Sequence, residues 1–241
     1  MRILLSIPCL FGAEHTDEAI RSVVSEKDVD LYLIDNGAED GVKKVLNKYE
    51  ERENVTVLRH PENTFVNPAW QNSIDWFLSH PEYSHLIIMN SDLIMQPNWS
   101  KVIFNRLELN PDEIIIPNIG DDKFFSGADV NDVSVSEATK VDGGTAGVFI
   151  VLNRKQVEII SPLPHDCCKI WFGDEFLYTI LRQIGYETVI PKNLHSYHLW
   201  SANVSILKGI SELIEEDKRQ WELVGRPRMQ AIIDKINNDK K

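Results

Sequence analysis

Four short apolar runs pace the first half of this chain: Ile3–Ile7, Leu31–Ile34, Val55–Leu58 and Leu86–Met89. Between them the apolar residues recur at helical spacing. Ala19, Ile20, Val23 and Val24 share one face of a helix that Thr16 or Asp17 can cap. Val42, Val45, Leu46 and Tyr49 mark a second helix, and Trp70, Ile74, Phe77 and Leu78 a third. Runs of four or five apolar residues suit strands buried on both faces, which is the condition of a parallel sheet. Repeated strand–helix–strand units leave few alternatives to a doubly wound, mostly parallel α/β sheet with helices on both faces. Val102, Ile103 and Leu107, then Ile114–Ile116, continue the pattern up to Pro117.

Beyond Pro117 the regularity lapses. Residues 118–140 are polar and Asp-rich, which predicts a long functional loop or a short antiparallel excursion. A strand follows at Val148–Leu152, interrupted afterwards by Pro162 and Pro164. Phe176, Ile180, Leu181 and Ile184 form a helix that Gly185 can cap, and Thr188–Ile190 is a further strand. A charged amphipathic helix is expected over about Val204–Leu223, ended by Gly225 and Pro227, with a last helix over Arg228–Ile236. With 241 residues and no repeat or low-complexity linker, one domain is expected. Its parts would be 1–117, 118–203 and a helical tail over 204–241.

The net charge of −12 argues against a broad nucleic-acid footprint, which needs clustered Lys and Arg. Cys9, Cys167 and Cys168 do not make a disulfide framework, so a reducing cytoplasm is the simpler setting. No stretch approaches the roughly 20 apolar residues of a membrane span. There is no G-x-G-x-x-G and no G-x-x-x-x-G-K-[ST], which removes the dinucleotide-cofactor and P-loop readings.

Two of the strands end in acid. Leu31–Ile34 runs into Asp35-Asn36-Gly37, and Leu86–Met89 stops at Asn90-Ser91-Asp92. In a doubly wound fold such ends meet in one crevice, where ligands bind. Asp35 can accept a hydrogen bond from a base N–H, and Asp92 can hold a divalent cation. Both tripeptides are also ordinary turn chemistry.

A series of motifs in order along the chain resembles the inverting glycosyltransferases of the GT-A fold, family 2. Ser6-Ile7-Pro8 resembles the family's opening strand, and Leu33–Gly37 its second strand, whose Asp reads the donor base. Glu62-Asn63 with Pro68–Asn72 is similar to its Asn-rich helix start. Met89–Asp92, followed by Pro97-Asn98-Trp99, is similar to the metal-binding D-x-D region in its N-x-D form. Gly144-Thr145-Ala146-Gly147 resembles the small-residue acceptor loop. Trp171–Glu175 with Arg182 and Gly185-Tyr186 resembles the E-D motif and its helix. His198–Ser201 resembles the late His, and Glu216–Trp221 the tail helix.

The resemblance implies transfer of a sugar from a nucleoside-diphosphate sugar, a UDP-sugar first of all, to a hydroxyl acceptor such as a glycan. It implies Mn²⁺ or Mg²⁺ at Asp92 and His198, and donor contacts at Pro8, Asp35, Asn63, Asn72, Asn90, Ser91 and Arg219. Acceptor or sugar contacts would come from Gly144, Thr145, Trp171 and Trp200. The general base would be Asp174, with Glu175 the competing choice at a register one residue later. Two departures stand out: Asn90 replaces the first acid of the D-x-D, and Gly173 stands where a glutamate is usual. They leave room for a catalytically silent glycan-binding domain. A transferase acting on nucleic-acid bases, as in viral DNA glucosylation, is a third reading, against which the net charge speaks.

Overall fold

The computed structural model describes residues 1–135, 137–141, 147–199 and 209–239. The expected alternation is present. Strands β1 (Ile3–Cys9), β2 (Val29–Asn36), β3 (Val55–His60) and β4 (His85–Met89) alternate with α1 (Ala13–Val23), α2 (Asp40–Glu50) and α3 (Val66–Ser79). Then come β5 (Leu93–Met95), α4 (Trp99–Leu109), β6 (Ile114–Ile115), β7 (Asn118–Gly120), β8 (Ala138–Lys140) and β9 (Phe149–Asn153). Helices α5 (Arg154–Ile160) and α6 (Gly173–Gln183), strands β10 (Thr188–Pro191) and β11 (His195–His198), and the tail helices α7 (Ile210–Gln220) and α8 (Arg226–Asp239) complete the described chain.

Eight strands form one sheet in the order β3-β2-β1-β4-β9-β6-β10-β8. The first four are mutually parallel, β9 runs antiparallel to both β4 and β6, and β8 is antiparallel to β10. Side-chain alternation along β1 splits the core between the two faces. Ile3, Leu5, Ile7 and Cys9 pack with α1, α2 and α4. Leu4 packs with α3, α5, α6 and the tail residues Trp221, Met229 and Ile233. Ser6 also faces the second layer, where its hydroxyl lies 2.7 Å from that of Ser73. The antiparallel setting of β9 has a consequence for function: the chain entering β9 and the chain leaving β4 meet at one edge, where the Asn90 amide donates to the Val148 carbonyl at 2.8 Å.

Within residues 118–140 the expected short antiparallel excursion is present, since β8 pairs antiparallel with β10. β7 joins a small second sheet, β5-β11-β7, whose individual strands the sequence patterning does not mark, and β8 extends the main sheet. Strands of three or four residues are too short to carry a period. Helix α5 was likewise not expected. Its signal is a capping box: the Asn153 side chain accepts from the Gln156 amide, and the Gln156 side chain accepts from the Asn153 amide.

The tail departs from expectation in another way. Gly225 and Pro227 do not end it. A π-turn over Trp221–Gly225 links α7 to α8 without a break. The turn's extra residue lets the helix run through a proline. Gly225 is required because a Cβ there would lie 2.4 Å from the Trp221 ring. The start of the predicted tail helix, 204–208, lies outside the described residues. Among the described residues no helix is long and apolar enough to cross a membrane.

Candidate active site

Strands β1, β2 and β4 all deliver their carboxyl ends to one edge of the sheet. Asp92 lies three residues past β4, and β5 begins at the next position. β5 pairs antiparallel with β11, with Leu93 opposite His198. That pairing sets Asp92 Oδ1 3.1 Å from His198 Nε2, and the Leu199 amide donates to the Asp92 carbonyl. Both side chains are buried, Asp92 at 6% exposure and His198 at 8%. His195, three positions earlier, is only half-buried, and its Nδ1 lies 3.5 Å from the Asn118 side-chain amide nitrogen.

The pair fits part of a divalent-cation site. Carboxylate and imidazole are compatible donors for Mn²⁺. Cis donors at about 2.1 Å on an octahedral cation stand about 3.0 Å apart, close to the separation seen here. Among the described residues no group of three His, Cys, Asp or Glu side chains is placed to hold a metal. A cation here would complete its shell with substrate oxygens and water, as Mg²⁺-type sites on phosphates do.

Asp35 is buried at the end of β2. Its Oδ1 accepts from the Ala38 amide at 2.8 Å, and Arg59 approaches Oδ2 at 3.3 Å. A carboxylate has about four lone-pair directions, so acceptor capacity remains. Beside it, burial and then the Asp35 charge push the Cys9 thiol far up, which leaves that thiol inert. Asn36 holds the edge together. Its side chain donates to Asn63 Oδ1 and to the Phe65 carbonyl, and accepts from the Thr64 amide and hydroxyl. Gly37 has φ +67°, and a Cβ there would come within 2.3 Å of the Glu62 carbonyl carbon, so the β2 and β3 exits form one unit. Asn72 pairs with His60 at 2.8 Å.

Asp174 sits at the start of α6, half-buried, its Oδ1 accepting from the Glu175 amide, whereas Glu175 is exposed. Gly147 closes against it: a Cβ on that glycine would lie 3.1 Å from Asp174 Cβ and 2.4 Å from Trp70 Cη2. Trp171 is 44% exposed. Arg219 is engaged on the exposed face of α7, where it donates to both oxygens of Glu216. This pairing lowers the Glu216 carboxyl to about 2. Ser91 is buried beside Asp92, and Pro8 is half-buried next to the β1 terminus. Gly144, Thr145 and Trp200 lie outside the described residues.

Two residues to which the sequence reading gave no role of their own organise this region. Asn67 is buried at the start of α3. It donates to the carbonyls of Cys168 and Trp171, while its own amide donates to the Lys169 carbonyl. It also explains Gly173, since a Cβ there would lie 2.2 Å from Asn67 Oδ1. Asp217, buried on α7, is the other. Asn67 precedes a proline at a helix start, and Asp217 lies in the Glu216–Trp221 tail segment without being singled out there.

A large, mostly parallel sheet flanked by helices, with a small second sheet and a helical tail, is the architecture of a GT-A fold. Solved structures agree in architecture. GalNAc-T7, solved with UDP, GalNAc and Mn²⁺, superposes with a TM-score of 0.64 at 13% identity, covering 84% of this chain and 44% of its own. TarS from S. aureus, residues 1–349 in complex with UDP, gives 0.64 at 12% identity, covering 91% of this chain and 68% of its own. The same TarS fragment solved as such gives 0.62 at 10% identity, with 94% and 73% covered. This chain therefore spans less than half of the GalNAc-T7 chain. No curated protein sequence matches it significantly. Residues 6–132, more than half of the chain, match the glycosyl transferase family 2 model, and the chain belongs to that family.

Proposed function

We propose that the chain is an inverting glycosyltransferase that moves a sugar from a nucleoside-diphosphate sugar, most naturally a UDP-sugar, to a hydroxyl acceptor. The observation that carries this reading is the buried Asp92–His198 pair at the carboxyl edge of the sheet. A divalent cation held there would act as a Lewis acid and offset the charge of the departing diphosphate. GalNAc-T7 and TarS were solved with UDP, and the former with Mn²⁺, which supports the same donor chemistry here.

In this reading residues 1–117 bind the donor, 118–203 carry the acceptor side, and 204–241 form a helical tail. Asp35 accepts the imide N–H of the base, in a direction set by the Ala38 amide. Asn63, Asn72, Asn90, Ser91 and Pro8 border the donor, and Trp171 offers a ring to a sugar face. Arg219, exposed beside Glu216, would have to leave that partner to reach a phosphate. Asp174 is the general base. It is the half-buried acid of the two and the one against Gly147, which favours it over Glu175. It accepts the acceptor hydroxyl proton as that oxygen bonds to the anomeric carbon. The bond from that carbon to the diphosphate oxygen breaks with its electron pair on the leaving group, and configuration inverts. Gly173 has a packing reason besides a lost acid, because a Cβ there would lie 2.2 Å from Asn67 Oδ1.

The test is donor turnover, measured as UDP release with Mn²⁺ and with EDTA. Asp92→Asn should lower the rate about 10²–10³-fold, the scale of losing one charge-stabilising group. Asp174→Asn should do likewise while UDP still binds. A wild-type rate in EDTA or in Asp92→Asn would overturn the metal assignment.

A further inference from the structure

Asp217 is a buried carboxylate, 1% exposed, that the proposed chemistry does not use. It lies on α7, and its two oxygens accept from three consecutive backbone amides: Lys169 at 2.8 Å, Ile170 at 2.7 Å and Trp171 at 2.9 Å. From the other side Asn67 donates to the carbonyls of Cys168 and Trp171. The four-residue segment 168–171 is thus gripped through its N–H groups by the tail and through its C=O groups by α3. The next two residues are fixed as well. Phe172, at φ +68°, stacks on Trp221 with centroids 5.0 Å apart and planes 5° apart. Gly173 touches Asn67. Asp174 follows immediately.

A carboxylate buried this deeply needs hydrogen bonds to offset its desolvation, and each charge-assisted bond is roughly twice as strong as a neutral one. All three are spent on the peptide segment that leads into the proposed base. The geometry points to Asp217 as a positioning residue that holds Asp174 in place from the tail helix, with no contact to substrate. This inference rests on Asp174 being the base. A carboxylate displaced by about 1 Å can lose about 10²-fold in rate. Asp217→Asn keeps the size of the side chain but turns an NH₂ group toward backbone N–H groups, so at least one of the three bonds fails.

The experiment measures kcat, donor KM and UDP–Mn²⁺ affinity for Asp217→Asn, Asp174→Asn and the double variant, with thermal melts to confirm folding. Asp217→Asn is expected to lower kcat about 10- to 100-fold, with donor KM and UDP affinity within about twofold of wild type. In the Asp174→Asn background it should cost nothing more, since residues acting through one group are non-additive. Should Asp217→Asn fail to fold, Asn67→Ser, which releases the same segment from α3, is expected to show the same split. A wild-type kcat, a parallel loss of UDP affinity, or a full multiplicative cost on top of Asp174→Asn would overturn the inference. If Asp174→Asn itself keeps the wild-type rate, the base assignment fails, and the positioning role fails with it.

Discussion

Asp92 and His198 are 106 positions apart in the chain and 3.1 Å apart in space. Each could be named from sequence, because Asp92 ends an apolar run and His198 falls in a late motif. Their meeting could not, since it depends on a three-residue strand, β5, pairing with a four-residue one. Asn67 and Asp217 show the opposite case. Their roles are made wholly by partners about 50 to 100 residues away, through backbone groups that carry no residue-specific signal. Gly147 belongs at this scale too. Its missing Cβ leaves space for both the Trp70 ring and Asp174. Gly147→Ala is expected to destabilise the fold by about 1–3 kcal/mol, as overpacking does. It should also lower kcat more than donor affinity. Urea unfolding and steady-state kinetics check both.

At the scale of elements, period decided what was legible. Helices α1, α2, α3 and α6 have at least three turns of amphipathic pattern, and β1, β2, β4 and β9 each have four or more apolar residues. Helix α5 has only seven residues, too few for a reliable period, and it is specified by its cap instead. Asn153→Ala removes an acceptor for the Gln156 amide and is expected to cost about 1 kcal/mol. The urea midpoint should fall with an unchanged m-value. The tail shows a different limit. Glycine and proline normally read as stops, but here Gly225 admits the Trp221 ring and Pro227 sits past a π-turn. A punctuation rule cannot anticipate a side chain folding back onto its own helix.

For the whole molecule, the titration of one buried histidine is expected to show in stability. His85 opens β4 and is 7% exposed; burial drives its pKa down from 6.5 to about 4. In the unfolded chain it protonates near pH 6.5, but in the folded chain only near pH 4. Between those values the unfolded state binds the extra proton, so stability falls as pH falls through this window. Above pH 6.5 the group contributes no pH dependence. The slope is at most about 1.4 kcal/mol per pH unit, and the total about 3 kcal/mol. His85→Gln should flatten this part of the profile, measured as urea stability at pH 7.5 against pH 4.5. Equal pH dependence in the two proteins would show that His85 is not the source.

The order in which the chain leaves the ribosome gives the tail's grip on segment 168–171 a temporal meaning. The parallel core β3-β2-β1-β4 is fully encoded by residue 89, so it can assemble early in synthesis, as amino-terminal parts generally do. The segment that leads to Asp174 is fastened only when Asp217 has emerged, near the end of the described chain. A nascent chain would therefore complete the edge of the parallel core before segment 168–171, and Asp174 after it, are held from the tail.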